Sequence, residues 1–141
     1  MSEQKATQSS PRGELILRTQ AFPADANPTG DVFGGWVLSQ MDIAGGIISR
    51  KRCHGRTVTI AIDSMKFIEP VFVGDVICCY GEVMKEGNTS VQVRIEVWAI
   101  RQYETERIKV TEGHFTYVAV GQDRKPRSIN SNLLNESSAS N

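Results

Sequence analysis

A chain of 141 residues with 40% hydrophobic residues has the length and apolar content for one packed domain, not two. Sixteen Lys and Arg balance sixteen Asp and Glu, so no global positive field draws nucleic acid or an anionic membrane, and any anion binding is local. The first fourteen residues, MSEQKATQSSPRGE, lack the apolar core of a signal peptide, and no apolar run approaches the roughly 18 residues of a spanning helix, which predicts a cytoplasmic protein without a membrane segment.

Residues 1–13 are polar, and the segment from Asp123 onward is rich in Ser and Asn, so flexible ends are expected at 1–13 and 123–141 around a single domain of residues 14–122. Within that domain, Glu14 to Ala21 suits a strand that ends at Phe22-Pro23, where proline removes a ladder donor. Asn27-Pro28-Thr29-Gly30-Asp31 is a loop dense in turn formers. Gly34 to about Cys53 has helical spacing, with Trp36, Met41 and Ala44 or Val37, Met41 and Ile48 on shared faces. Apolar side chains occur nearly all around it, which predicts a buried helix, and Arg50-Lys51-Arg52 suit the negative pole of its dipole.

After Gly55 the period changes to two. Val58, Ile60 and Ile62 alternate with small or polar residues in a strand that continues to Ile68, before Pro70. Val71 to Asp75 is a turn, Val76 to Met84 a strand, and Glu86-Gly87-Asn88 a hairpin signal. Val91 to Ala99 alternates strictly, and Ile108 to Val120 returns as a last strand with Phe115, Tyr117 and Ala119 on one face. One helix followed by hairpin-connected strands predicts an α+β fold, an antiparallel sheet around one long helix, and edges that a homodimer would cover.

Cys53, Cys78 and Cys79 cannot all pair within one chain, and the adjacent two point to opposite faces of a strand, so all three are read as reduced packing residues. No C-x-x-C occurs, and His54 and His114 lie sixty residues apart, so no metal site is expected. Asp42 stands out because its helical neighbours are small or apolar: Leu38, Ser39, Gly45 and Gly46. Desolvation there raises a carboxyl pKa unless a donor compensates, which suits a general base or nucleophile; a structural Asp holding a loop amide is the alternative. Gly45-Gly46 beside it point to close approach, by a packed element or by substrate. Gly34-Gly35 at the helix N-terminus offer unpaired N–H groups for an oxyanion or carbonyl, or only a flexible lead-in to the helix. Asn27 supplies an amide that both donates and accepts, or a turn residue. Arg50, Lys51, Arg52, His54 and Arg56 form a basic cluster that either meets phosphates or caps the helix in solvent.

FPADANPTGDVFGGWVLSQMDIAGGI, followed by GRTVTIAIDSMKFIEPVFVGDVI, closely resembles the hotdog-fold acyl-CoA thioesterases of the YciA type, related to the brain-type cytosolic acyl-CoA hydrolases. The resemblance spans about residues 14–122 and rests on the Asn-x-x-Gly-Asp-x-Phe-Gly-Gly-Trp loop, the Met-Asp of the helix, and Phe67, Pro70, Gly74 and Asp75 in order. It implies a hotdog fold, dimerised into one continuous sheet and often assembled as a trimer of dimers. Asp42 corresponds to the family's catalytic carboxylate and Asn27 to its loop asparagine, with the Gly34-Gly35 backbone polarising the thioester carbonyl. Helix acid and glycine loop would come from opposite subunits. The pantetheine would run near Val58 and Thr59, and the CoA phosphates would lie near Arg56 and Arg50 to Arg52. The implied activity is hydrolysis of acyl-CoA to free acid and CoA, without metal or redox cofactor, coenzyme A being part of the substrate and a product. A non-catalytic acyl-CoA-binding hotdog protein is the competing reading. A hotdog dehydratase is disfavoured because no histidine lies where its helix would need one.

Overall fold

The computed structural model describes residues 10–131. Strand β1 (Glu14–Gln20) leads through a one-turn 3-10 helix (Pro23–Asp25) and the Asn27 loop into α1 (Gly34–Cys53). Four strands follow: β2 (Thr57–Phe67), β3 (Val76–Glu86), β4 (Ser90–Ile100) and β5 (Arg107–Ala119). Their order in the sheet is β1-β3-β4-β5-β2, every neighbouring pair antiparallel. This is the expected α+β arrangement of one long helix against an antiparallel sheet, with element boundaries within about two residues of the sequence reading.

Alternation along β4 decides which face meets the helix. Val91, Val93, Ile95, Val97 and Ala99 are fully buried and share one core with Val37, Met41, Ala44 and Cys53 of α1, Ile77 and Cys79 of β3, and Phe115 and Tyr117 of β5. Burying that many aliphatic side chains, at roughly 1.5–3 kcal/mol each, is what holds helix to sheet. All three cysteines are free and buried, and burial pushes the Cys79 thiol up to about 12, so Cys79 is an inert packing residue.

The helix is not buried all round. Ser39, Ile43 and Arg50 are exposed on one side, with Ile43 46% open, so in a single chain the apolar circumference of α1 exceeds what the sheet covers. Edge strand β2 shows the same excess: Val58 is 41% exposed, Ile60 58% and Ile62 40%. The sheet's other edge, β1, carries the shorter seven-residue strand. An exposed aliphatic edge strand offers its unpaired backbone groups for pairing with another chain.

The turn between β2 and β3 braces the Asn27 loop. Val32 N–H donates to Val71 O at 2.9 Å, and Ala21 N–H donates to Asp75 O at 3.0 Å. Asp75, almost wholly buried, accepts from Phe72 N–H at 2.9 Å and pairs with Arg101, whose guanidinium stacks 4.3 Å above the Phe72 ring. Gly74, whose N–H donates to Ala21 O at 2.8 Å, and Asp75 thus belong to a structural clasp.

Parts of both ends expected to be flexible touch the domain where they are described. Arg12 pairs with Glu82, and its N–H donates to the buried Glu96 at 3.2 Å. After β5, Val120 bridges Pro126, Ile129 is 2% exposed, and Arg127 Nη2 donates to Cys53 O at 2.7 Å. That last bond satisfies one of the carbonyls a helix leaves orphaned at its C-terminus, which is why this polar segment stays on the domain. The remainder of both predicted flexible ends, residues 1–9 and 132–141, lies outside the described residues.

Candidate active site

Asp42 lies two turns into α1, on the side of the helix that turns toward β2 and β5. Thr59 and Tyr117 are directly paired across those two strands. Both send a hydroxyl to the same carboxylate oxygen: Thr59 Oγ1 donates to Asp42 Oδ1 at 2.7 Å, and the Tyr117 hydroxyl donates to Oδ1 at 2.9 Å while lying 3.0 Å from the Asp42 carbonyl oxygen. The compensating donors that a carboxylate in apolar surroundings requires are therefore present, and both are neutral. Asp42 Oδ2 has no hydrogen-bond partner among the described residues.

Two local features make this contact possible. A side chain at position 45 would place its Cβ 2.2 Å from the Tyr117 hydroxyl, so Gly45 is the gap into which the phenol fits; of the two uses left open for the pair, packing applies here. Just beyond Thr59 the β2–β5 register shifts, between Thr59 and Ala61, the kind of irregularity that re-aims side chains at a site. Burial pushes the Tyr117 phenol well above its ordinary value, and the Asp42 carboxylate adds to that, outweighing the opposite effects of Thr59 and Arg50. The phenol is thus the proton donor at any working pH. Sequence reasoning missed Tyr117; the available signal was a phenol on the otherwise apolar inward face of β5, which needs a polar partner when buried.

At the N-terminus of α1, Trp36 N–H and Val37 N–H bond back to Phe33 O, whereas the N–H groups of Gly34 and Gly35 have no partner among the described residues. A Cβ at Gly35 would meet nothing within 4 Å, and one at Gly34 would meet only the Phe67 ring at 3.6 Å. These unpartnered amides stand at the positive end of the helix dipole. Asp42 is seven or eight residues further along the same helix, about 10–12 Å away at 1.5 Å per residue. One helix cannot bring both groups to one carbonyl.

Asn27 is largely absorbed by its own loop. Its Oδ1 accepts from Thr29 N–H at 3.0 Å, Thr29 Oγ1 at 2.7 Å and Asp31 N–H at 3.1 Å, so the turn reading applies to the oxygen. Its Nδ2 has no partner among the described residues. In the basic cluster, Arg52 is held by Glu86 through bonds of 2.5 and 2.6 Å, which lower the Glu86 carboxyl. Arg50, Lys51 and Arg56 are exposed and make no ion pair among the described residues. Arg50 lies back along α1, its Nη1 2.8 Å from where a Cβ on Gly46 would stand, which brings its charge toward Tyr117. Val58 is exposed on β2, and Thr59 has its hydroxyl committed to Asp42.

A single helix against a five-stranded antiparallel sheet, with a carboxylate mid-helix and free amides at the helix start, defines a hotdog domain equipped for carbonyl chemistry. The family model of the thioesterase superfamily matches residues 29–106. The acyl-CoA thioester hydrolase YciA of Salmonella typhimurium is 51% identical over 123 residues, 84% of this chain and 92% of that protein. A hexameric thioesterase from Yersinia pestis superposes with a TM-score of 0.82 at 50% identity, over 86% of this chain and 99% of that one. An aspartate-to-alanine mutant of a hexameric broad-specificity acyl-coenzyme A thioesterase superposes with a TM-score of 0.81 at 44% identity, over 91% and 96%. The chain belongs to the thioesterase superfamily, within the YciA-type hotdog acyl-CoA thioester hydrolases.

Proposed function

We propose that this protein hydrolyses acyl-CoA thioesters to the free acid and CoA, with Asp42 as general base. The observation that carries the reading is the Asp42 carboxylate itself, one oxygen held by two neutral hydroxyls and the other free. Oδ2 takes a proton from water, the water oxygen attacks the thioester carbon, and the Gly34 and Gly35 amides stabilise the oxyanion. The C–S bond then breaks and CoA thiolate leaves, taking its proton from Asp42. A thiolate is a good leaving group, so no further acid is needed.

Asp42 and Gly34-Gly35 belong to opposite subunits in this reading, because the helix separates them within one chain. The exposed aliphatic edge of β2 is where the partner pairs, and the hexameric state of the Yersinia protein is the assembly to expect. Asn27 shapes the loop and presents Nδ2. The pantetheine passes Val58 and Thr59, the latter through its backbone, and Arg50, Lys51 and Arg56 meet the CoA phosphates; Arg52, occupied by Glu86, is left out. The catalytic unit is the single domain, extended to Ser131 by its packed end. Among the described residues no helix is long and apolar enough to cross a membrane, and the cytoplasm, where acyl-CoA is soluble, is the proposed location.

Thiol release from acyl-CoAs of increasing chain length, by the wild type and by Asp42→Asn, tests this. Turnover by the wild type and its loss in the variant support the reading. Binding of acyl-CoA without turnover by either protein makes the domain a binder instead. Single turnover in 18O-water that puts the label into Asp42 and leaves the product acid unlabelled would replace the general base by an attacking nucleophile.

A further inference from the structure

We propose that Tyr117 is a positioning residue for the hydrolysis, fixing the Asp42 carboxylate so that Oδ2 alone is presented to the reacting water. The inference rests on Asp42 being the catalytic carboxylate. A single hydrogen bond to one oxygen leaves a carboxylate free to turn about its last torsion. Tyr117 removes that freedom because its hydroxyl spans the side-chain oxygen and the main-chain oxygen of the same residue, at 2.9 and 3.0 Å. Thr59 closes on the same Oδ1 from the neighbouring strand, so the two donors saturate one oxygen and spare the other.

The placement of Tyr117 is itself enforced. Its ring stacks on Phe115, centroids 6.5 Å apart and planes at 15°, and α1 carries glycine at the one position where any side chain would evict the hydroxyl. Among the described residues, the polar groups facing the carboxylate are Thr59 from β2, Tyr117 from β5 and, further along α1, Arg50, whose charge acts on the phenol.

The test is Tyr117→Phe, which keeps the ring and removes the donor. A hydrogen bond to a charged group is worth about ten- to a hundredfold in an equilibrium. Accordingly kcat falls by about tenfold or more while KM for acyl-CoA changes by less than about twofold, the signature of a group acting on the reaction and not on binding. The acid limb of the kcat/KM profile moves to higher pH, by about one pH unit, because the ionised carboxylate has lost a donor. 3-Fluorotyrosine incorporated at position 117 strengthens the donor without altering the packing and moves the same limb to lower pH. Wild-type kcat with an unmoved limb in Tyr117→Phe overturns the proposal and leaves Tyr117 a packing residue. If Tyr117→Phe does not fold, the fluorinated protein decides, an unmoved limb again overturning it. Asp42→Asn run in parallel separates the two readings: activity retained there sinks the role of Asp42, whereas an inactive Asp42→Asn beside a wild-type-like Tyr117→Phe sinks only this proposal.

Discussion

Asp75 and Asp42 both sit in segments that carry the family resemblance, and their surroundings differ in kind. Asp75 is nearly inaccessible, pairs with the Arg101 guanidinium and accepts a backbone amide, so its charge is neutralised where it stands. Asp42 is partly open and, among the described residues, its carboxylate accepts from two hydroxyls, both on one oxygen. A carboxylate paired with a cation and enclosed is a clasp; one held by neutral donors on a single oxygen has its other oxygen available to a reactant. Two motif aspartates thus stand in different settings, one closed by a cation and one with an oxygen left open.

That contrast is open to attack at several points. Asp42→Asn should lower kcat by about a hundred- to ten-thousandfold, the usual range for a lost general base, with little change in melting temperature. Asp75→Asn should do the reverse: removing one partner of a buried ion pair costs about 3–5 kcal/mol, so chemical denaturation should show a large loss of stability while the folded fraction stays active. Gly45→Ala forces a Cβ against the Tyr117 hydroxyl and should cost about 1–3 kcal/mol by overpacking, with activity falling in step with displacement of the phenol.

Gly35→Ala meets no atom of its own chain and gains helix propensity, so the subunit should be unharmed or steadier by up to about 1 kcal/mol. Its activity should nevertheless fall, since the new methyl occupies the space before the amides; unchanged thiol release would remove that loop from the site. The smallest effect is one of pH. Desolvation works to raise the Glu112 carboxyl, but the hydrogen bond and charge of Lys109, with the charge of Arg94, outweigh it and lower the group below its ordinary 4.5. A depressed folded value means stabilisation present above about pH 4.5 and lost as pH falls through the lower folded value. Melting temperatures from pH 6 to 3 should therefore drop less steeply in Glu112→Gln than in the wild type.

The elements were legible because period and punctuation agree throughout: strict alternation from Val91 to Ala99, helical spacing from Gly34 to Cys53, and proline or glycine at the breaks. Asp42 was legible for the related reason that a charge in an apolar stretch of helix is conspicuous. What surrounds it was not. Thr59 and Tyr117 are 58 residues apart and meet only through the β2–β5 register, which no local pattern encodes. Thr59, expected beside the pantetheine, also donates its hydroxyl to Asp42, and Arg52, expected at the phosphates, also bonds Glu86. Composition points to flexibility after Asp123, whereas the described part of that segment bonds to the domain through Arg127 and its backbone and buries Ile129, contacts that no local pattern encodes.

The central claim is that the carboxylate and the amides of one site come from two chains, and subunit complementation tests it most directly. Asp42→Asn and Gly35→Val, each expected to be inactive alone, are co-expressed and purified as mixed assemblies. Random pairing makes half of the dimers hybrid, each with one wild-type Asp42 facing one wild-type loop, so activity should recover to about a quarter of the wild-type level. Mixed assemblies that contain both variants and yet remain as inactive as either parent would contradict a shared site.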